Sequence, residues 1–271
     1  MLSRLVWPSF PTAQVVDGIE TAIKQNMVKR VCIQTLNYPT VFDEVLSVIS
    51  NIRSTCAVPI SISCQPVNSD TMKKLAEAGV ERIGIPLDAA TEEIFDKIKG
   101  KQAGGPYVWQ KQLTVLEDAV KVFGKNRVST HLIVGLGETE EDLAKVFQLC
   151  VDIGVYPALF AFTPVLGTAL EHSLPPSISL YRRVQLARYL IALSKVRWEN
   201  LCFDHNGRIV DFGVSRKTLK EIITSGTPFL TSGCPNCNRP YYNEKPSGPI
   251  FNFPQMPTIE EIGEIERVFR K

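Results

Sequence analysis

The chain has 271 residues, 44% of them hydrophobic, enough for one large core, and α/β barrels use this length as a single domain. Thirty lysines and arginines against 28 acids leave a net charge of +2, too small and too scattered for electrostatic binding to nucleic acid or an acidic membrane, so small substrates or a partner protein are expected. No apolar run reaches the roughly 18 to 20 residues of a membrane span, and no charged, apolar, then small-residue start marks a signal peptide; the sequence reads as cytoplasmic. Seven cysteines, an odd number spread along the chain, argue for thiols or metal ligands rather than a disulfide framework.

In chain order, an amphipathic helix comes first, PTAQVVDGIETAIKQN, and only then the β-branched run RVCIQT (30–35). Short runs of this kind alternate with helical spacing from there on: PISISC (59–64), RIGIPL (82–87), RVSTHLIVGL (127–136), ALFAFTPV (158–165), NLCFD (200–204) and PFLTSG (228–233). Between them stand DEVLSVISNI, SDTMKKLAEAG, ATEEIFDKIKG, TVLEDAVKVFG and EEDLAKVFQLCVDIG, several opening on Ser, Thr or Asp and closing on Gly, as capping predicts. Repeated β-then-α units without a long linker predict an α/β fold, a (β/α) TIM-type barrel or a doubly wound sheet. Seven strands behind a leading helix predict a barrel lacking its first strand. The whole of 1–271 is expected to form one domain, with 231–271 as a cysteine-containing extension.

In such a barrel the reactive groups gather at the carboxyl ends of the strands. Cys64 ends PISISC, Cys32 and Cys202 lie within strand runs, and Cys234 and Cys237 follow the last run in TSGCPNCNRPYYNE; Cys56 precedes a strand and Cys150 sits on a helix. Burial alone accounts equally well for any one of Cys32, Cys64 or Cys202. The CPNC pair is half of a soft metal site, compatible with zinc, iron-sulfur or redox exchange, and the three histidines, His131, His172 and His205, are scattered.

The segments RVCIQTLNYPT, SISCQPVNSDTMKKLAEAGVERIGIPLDAATEEIFDKI, RVSTHLIVGLGETEEDL and TPVLGTAL resemble, in order and spacing, those of biotin synthase and its relatives among the radical SAM enzymes. HLIVGLGE (131–138) resembles the family's G-x-I-x-G-x-x-E segment beside the adenine of S-adenosyl-L-methionine (SAM), with His131 in place of the leading glycine. The tail SGCPNCNRPYYNEKPSGPIFNFP looks instead like the two-protein type of lipoyl synthase. This resemblance implies radical SAM sulfur insertion into an unactivated C–H of an octanoyl chain on a carrier protein. SAM would be bound by Ile133, Gly135, Gly137, Glu138 and Thr163, with Asp88 near substrate and nucleoside. Asp88 also reads as a helix N-cap.

The resemblance further implies an auxiliary [4Fe-4S] cluster: Cys32 and Cys64 match two biotin synthase ligands, and CPNC folding back over the mouth would add Cys234 and Cys237, with Cys202 in reserve. The family's C-x3-C-x2-C loop for the SAM-binding [4Fe-4S] cluster is absent from the 271 residues. A longer natural chain is expected, a degenerate paralogue being the other reading, and the 271 residues alone are expected not to cleave SAM. A biotin synthase-like or other radical SAM reaction, and a non-catalytic partner subunit or zinc-stabilised barrel, stay open, as does a second radical SAM subunit as partner.

Overall fold

The computed structural model describes residues 8–235, 237 and 248–269. Helix α1 (Thr12–Lys24) leads into a regular alternation: β1 (Val31–Gln34), α2 (Val41–Thr55), β2 (Ile60–Ser63), α3 (Ser69–Glu77), β3 (Val80–Gly84), α4 (Glu92–Ile98), α5 (Trp109–Phe123), β4 (Val128–Val134), α6 (Glu140–Asp152) and β5 (Val155–Ala161). The five strands form one parallel sheet in the order β1-β2-β3-β4-β5, as successive right-handed crossovers produce. Helix α7 (Ile178–Ala192) follows, then a small hairpin, β6 (Cys202–Phe203) with β7 (Ile209–Asp211), then α8 (Arg216–Thr224) and α9 (Ile259–Phe269).

The sheet has two unlike faces. Along β4 burial alternates strictly, with Val128, Thr130, Leu132 and Val134 buried and Ser129, His131 and Ile133 half-buried. The buried row continues through Ile60 and Ile62 and through Ile83 and Ile85, and meets the apolar stripes of the covering helices, Ile49, Leu75, Leu116 and Phe147. Each such side chain contributes roughly 1.5–3 kcal/mol on burial. The opposite face carries Cys32, Ser61, Ser63, Gly84, Ser129, His131 and Phe160, mostly small or polar, in the position of a barrel interior. Caps set the helix starts: Asn68, Thr91, Ser177 and Ser215 each accept a backbone N–H, and Thr139 and Asp142 close a capping box on α6.

The α/β fold of barrel type is as expected, but the strand count is not: among the described residues five of the seven expected strands stand in the wall. NLCFD reverses instead into the β6–β7 hairpin, because Asp204 accepts from the backbone N–H of Asn206 and Arg208 and Gly207 takes φ +71°, closing a tight turn. PFLTSG begins as a 3-10 turn at Thr227–Phe229, led by Gly226 at φ +70° and Pro228. It then runs along the outer edge of β5, where the Ser232 hydroxyl accepts from Leu159 N–H at 2.8 Å and Leu230 bridges to Phe253. A side chain rather than a ladder meets β5 there.

Candidate functional site

The turn after β4 is built by its own sequence. Gly135 and Gly137 take φ +106° and +111°, values open to glycine, and the Glu138 carboxylate folds back to accept from Gly135 N–H at 2.6 Å and Leu136 N–H at 2.9 Å. Burial raises the Glu138 pKa, and those backbone donors oppose it. A side chain at Gly135 would press on Pro176 at 2.9 Å, whereas one at Gly137 would meet open space, so it is the Gly137 backbone that a ligand can approach closely. Ile133, on β4 two residues before Gly135, is half-buried, and just beyond β5 Thr163 donates weakly to Ala161 carbonyl, 3.4 Å away. Ile133, Gly135, Gly137 and Glu138 thus follow one another at the carboxyl end of β4, with Thr163 beyond the end of its neighbour β5.

Asp88 stands beyond β3, beside that strand end. It is not the cap of α4, a role Thr91 takes by accepting from Ile94 N–H. Its backbone instead bridges to β4, donating to His131 carbonyl at 2.7 Å and accepting from Ile133 N–H at 2.8 Å, and its carboxylate pairs with Lys99 at 2.7 Å. Lys99 gave no signal in the sequence beyond being one lysine among many.

The cysteines divide between the two faces. Cys32 is opposite Ser61 in the β1–β2 register, and the Ser61 hydroxyl lies 3.2 Å from the Cys234 sulfur and accepts from Arg30 at 3.0 Å. Arg30 also pairs with Glu81. Cys237 N–H donates to Cys234 carbonyl at 2.9 Å, closing the CPNC turn. The tail therefore runs from the outer edge of β5, where Ser232 binds, to Ser61 on the inner face of β2. It lands near the amino-terminal half of β2 and not over the mouth at the carboxyl ends.

Cys64 does not join them. It continues the helix-facing row of Ile60 and Ile62, is 3% exposed, and packs in the hydrophobic core, where burial pushes its thiol up to about 12. The convergence of Cys32, Cys64, Cys234 and Cys237 expected from the sequence is thus not formed: the two-residue period of a strand turns Cys64 away from Ser61's face. Among the described residues no three His, Cys, Asp or Glu side chains are gathered as a metal would need. Cys202 is exposed on the β6–β7 hairpin, away from the parallel sheet, and Cys150 is fully buried on α6.

A thiol titration checks this division. At about pH 8 a thiol reagent is expected to leave Cys64 and Cys150 unreacted in the native protein and to reach both in urea. Burial pushes both thiols up to about 12, from about 8.5 in an unfolded chain. Their contribution to stability is therefore complete below about pH 8.5 and is lost as pH rises toward 12, because the unfolded state releases those protons first. Cys64→Ala should flatten the alkaline decline, and native reactivity of Cys64 equal to that of Cys32 would place it on the open face.

The site is thus an open parallel β/α wall with a glycine turn and a half-buried glutamate at the end of its fourth strand. The radical SAM superfamily profile matches residues 4–150, more than half of the sequence, and the chain belongs to that superfamily. It is 28% identical over 199 residues to biotin synthase of Synechococcus sp. (strain CC9311), covering 70% of this chain and 57% of that one. It is also 35% identical over 95 residues to GTP 3',8-cyclase of Rippkaea orientalis (strain PCC 8801 / RF-1), covering 34% of this chain and 27% of that one. The chain thus spans little more than half the length of the biotin synthase it matches. Methylornithine synthase (PylB) shares the fold at TM-score 0.57 and 14% identity, over 70% of this chain and 56% of that one. The FeFe-hydrogenase maturase HydG from Carboxydothermus hydrogenoformans does so at 0.53 and 17%, over 70% and 46%.

The superfamily implies SAM and a [4Fe-4S] cluster. The glycine turn, with open space at Gly137, fits an adenosyl group. The SAM-binding cluster finds no matching donors here, since the sequence holds no C-x3-C-x2-C and the described residues gather no three thiols in its place. No helix among the described residues is long and apolar enough to cross a membrane.

Proposed function

We propose that the protein is a sulfur-inserting radical SAM enzyme of the lipoyl synthase type, working in the cytoplasm on an octanoyl chain attached to a carrier protein. The observation that carries this reading is the tail TSGCPNCNRPYYNE, whose Ser232 binds the outer edge of β5 and whose Cys234 reaches Ser61 on the inner face of the sheet, where a substrate chain would be held. SAM would sit at the turn after β4 against Ile133, Gly135, Gly137, Glu138 and Thr163, with Asp88 at its side. An auxiliary [4Fe-4S] cluster would draw on Cys32, Cys234 and Cys237, the cysteines whose strand face or turn meets Ser61, and not on Cys64. A SAM-binding [4Fe-4S] cluster requires a C-x3-C-x2-C loop, which a longer natural chain or, as the other reading, a second radical SAM subunit would supply.

Biotin synthase-like chemistry is the second reading, favoured by the 28% identity over 70% of the chain. Binding separates the two without turnover. The full chain is expected to bind an octanoylated carrier domain more than about tenfold tighter than the unacylated domain, since each buried CH2 is worth about 0.8 kcal/mol. Saturable binding of dethiobiotin with no preference for the acylated carrier would favour the second reading, and binding of neither would overturn both.

A further inference from the structure

The loops that follow β1 and β3 and the segment that leads into α5 meet around one lysine. Lys99, the residue that ends α4, has an 11% exposed side chain whose ammonium donates to Asp88 Oδ2 at 2.7 Å and to Pro86 carbonyl at 3.0 Å. It also lies over two rings, 4.9 Å from the centre of Tyr107 and 5.5 Å from that of Phe95. Tyr107 Oη in turn accepts from Asn37 beyond β1, at 3.2 Å.

Asp88 at the centre of this group is held in an uncommon conformation. Its φ of +69° lies in the left-handed region, which strains a residue with a side chain and persists where surroundings fix it. Here two backbone hydrogen bonds to β4 fix the main chain and Lys99 fixes the carboxylate. Among the described residues no donor reaches Asp88 Oδ1, and no acceptor takes the Tyr107 hydroxyl proton. An acceptor and a donor therefore flank one cation, beside the strand that ends in the glycine turn. A bare structural anchor for α4 would not need the left-handed backbone.

We propose that Lys99 is a positioning residue: by holding Asp88 Oδ2 it presents Oδ1 as acceptor for a ribose hydroxyl of the adenosyl group, with Tyr107 Oη as the neighbouring donor. This rests on the reading that the adenosyl group lies at the turn 135–138 with Asp88 beside it. Lys99 acts through the direction it gives the carboxylate, and the charge of its side chain is what the role requires.

The probe is S-adenosylhomocysteine, titrated calorimetrically into the full chain, with urea unfolding of each variant alongside. Asp88→Asn keeps the tolerance for the left-handed backbone and removes the charge; with Lys99 holding the amide oxygen, the NH2 takes the place of Oδ1, and the lost charged acceptor should weaken binding about tenfold. Lys99→Met keeps the packing against both rings and should lose the same factor, Lys99→Arg should stay within about threefold of the parent, and the Lys99→Met/Asp88→Asn double variant should be no weaker than Asp88→Asn alone. If Lys99→Met does not fold, Lys99→Gln takes its place with the same expected loss. Full affinity in the lysine variants with loss in Asp88→Asn would overturn the role of Lys99 alone. Full affinity in Asp88→Asn would overturn this inference and leave the adenosyl reading standing, whereas no binding by the parent chain would overturn both.

Discussion

Replacing Cys234 or Cys237 by alanine is expected to abolish the iron that the protein takes up on anaerobic reconstitution with iron and sulfide, a loss of about four irons per chain. Cys32→Ala should do the same, and Cys64→Ala should leave iron content unchanged. The contrast follows from the two faces of the sheet. Cys32 projects on the face of Ser61, whose hydroxyl is 3.2 Å from the Cys234 sulfur, and the CPNC turn carries Cys237 on the same short segment. Cys64 lies on the other face with its thiol held protonated by burial, and a thiolate ligand there would have to be uncovered from the core first. Equal iron loss in Cys64→Ala and Cys234→Ala would show that β2 twists enough on metal binding to bring both faces to one cluster. Full iron retention in Cys234→Ala and Cys237→Ala would remove the tail from the site and return CPNC to a structural or zinc-binding role.

The residues that could be read in advance were those whose role is local. The glycine turn after β4 follows from its own four residues, two glycines at positive φ and a glutamate reaching back, so G-x-G-E on a strand end was legible as a ligand-approach loop. The α/β alternation was legible for the same reason, through β-branched runs and capped helices. What failed were inferences about side-chain direction and about segments with mixed signals. Cys64 ends a strand, as expected, but one residue of register decides the face, and ISISC gives no sign of which row meets the helices until the neighbouring strands are paired. NLCFD has strand composition, and the signal for the turn that folds it into a hairpin lies in the D-H-N-G that closes the run, residues 204–207.

Helix α7 shows the reverse case. Its arginines obscure any apolar stripe, yet Arg182, Arg183 and Arg188 are buried. Arg182 serves the tail, donating to Ile250 carbonyl at 2.6 Å and to Phe251 carbonyl and lying over the rings of Phe229 and Phe253. Arg188 reaches the Tyr156 hydroxyl on β5. A charged helix at a surface and a charged helix clamping a returning chain have the same sequence; only the partners distinguish them.

The largest stability effect is expected at the remaining arginine of that helix. Arg183 binds Glu140, the first residue of α6, through Nε at 3.0 and 3.1 Å and through a further short contact from Nη2, and Glu140 also accepts from Ile209 N–H at 2.9 Å. Glu140 is 4% exposed, so the pair joins α6, α7 and the β6–β7 hairpin out of reach of water. Glu140→Ala should cost about 3–5 kcal/mol, because it leaves a buried guanidinium and a backbone donor without their acceptor. That corresponds to a fall in melting temperature on the order of 10 °C for a chain of this size. Replacing both residues by apolar ones of similar volume, Glu140→Leu with Arg183→Met, should recover much of the loss, since neither charge is then stranded. The effect should be insensitive to added salt, unlike that of the exposed Lys97–Glu93 pair, which water and salt screen. Glu140 is two residues beyond Glu138, so freeing the start of α6 should also loosen the glycine turn and speed amide hydrogen exchange at Gly135 and Leu136, whose N–H groups bind the Glu138 carboxylate. A loss below about 1 kcal/mol for Glu140→Ala, or one that shrinks with salt, would mean that water reaches the pair and that the turn is held by its own residues alone.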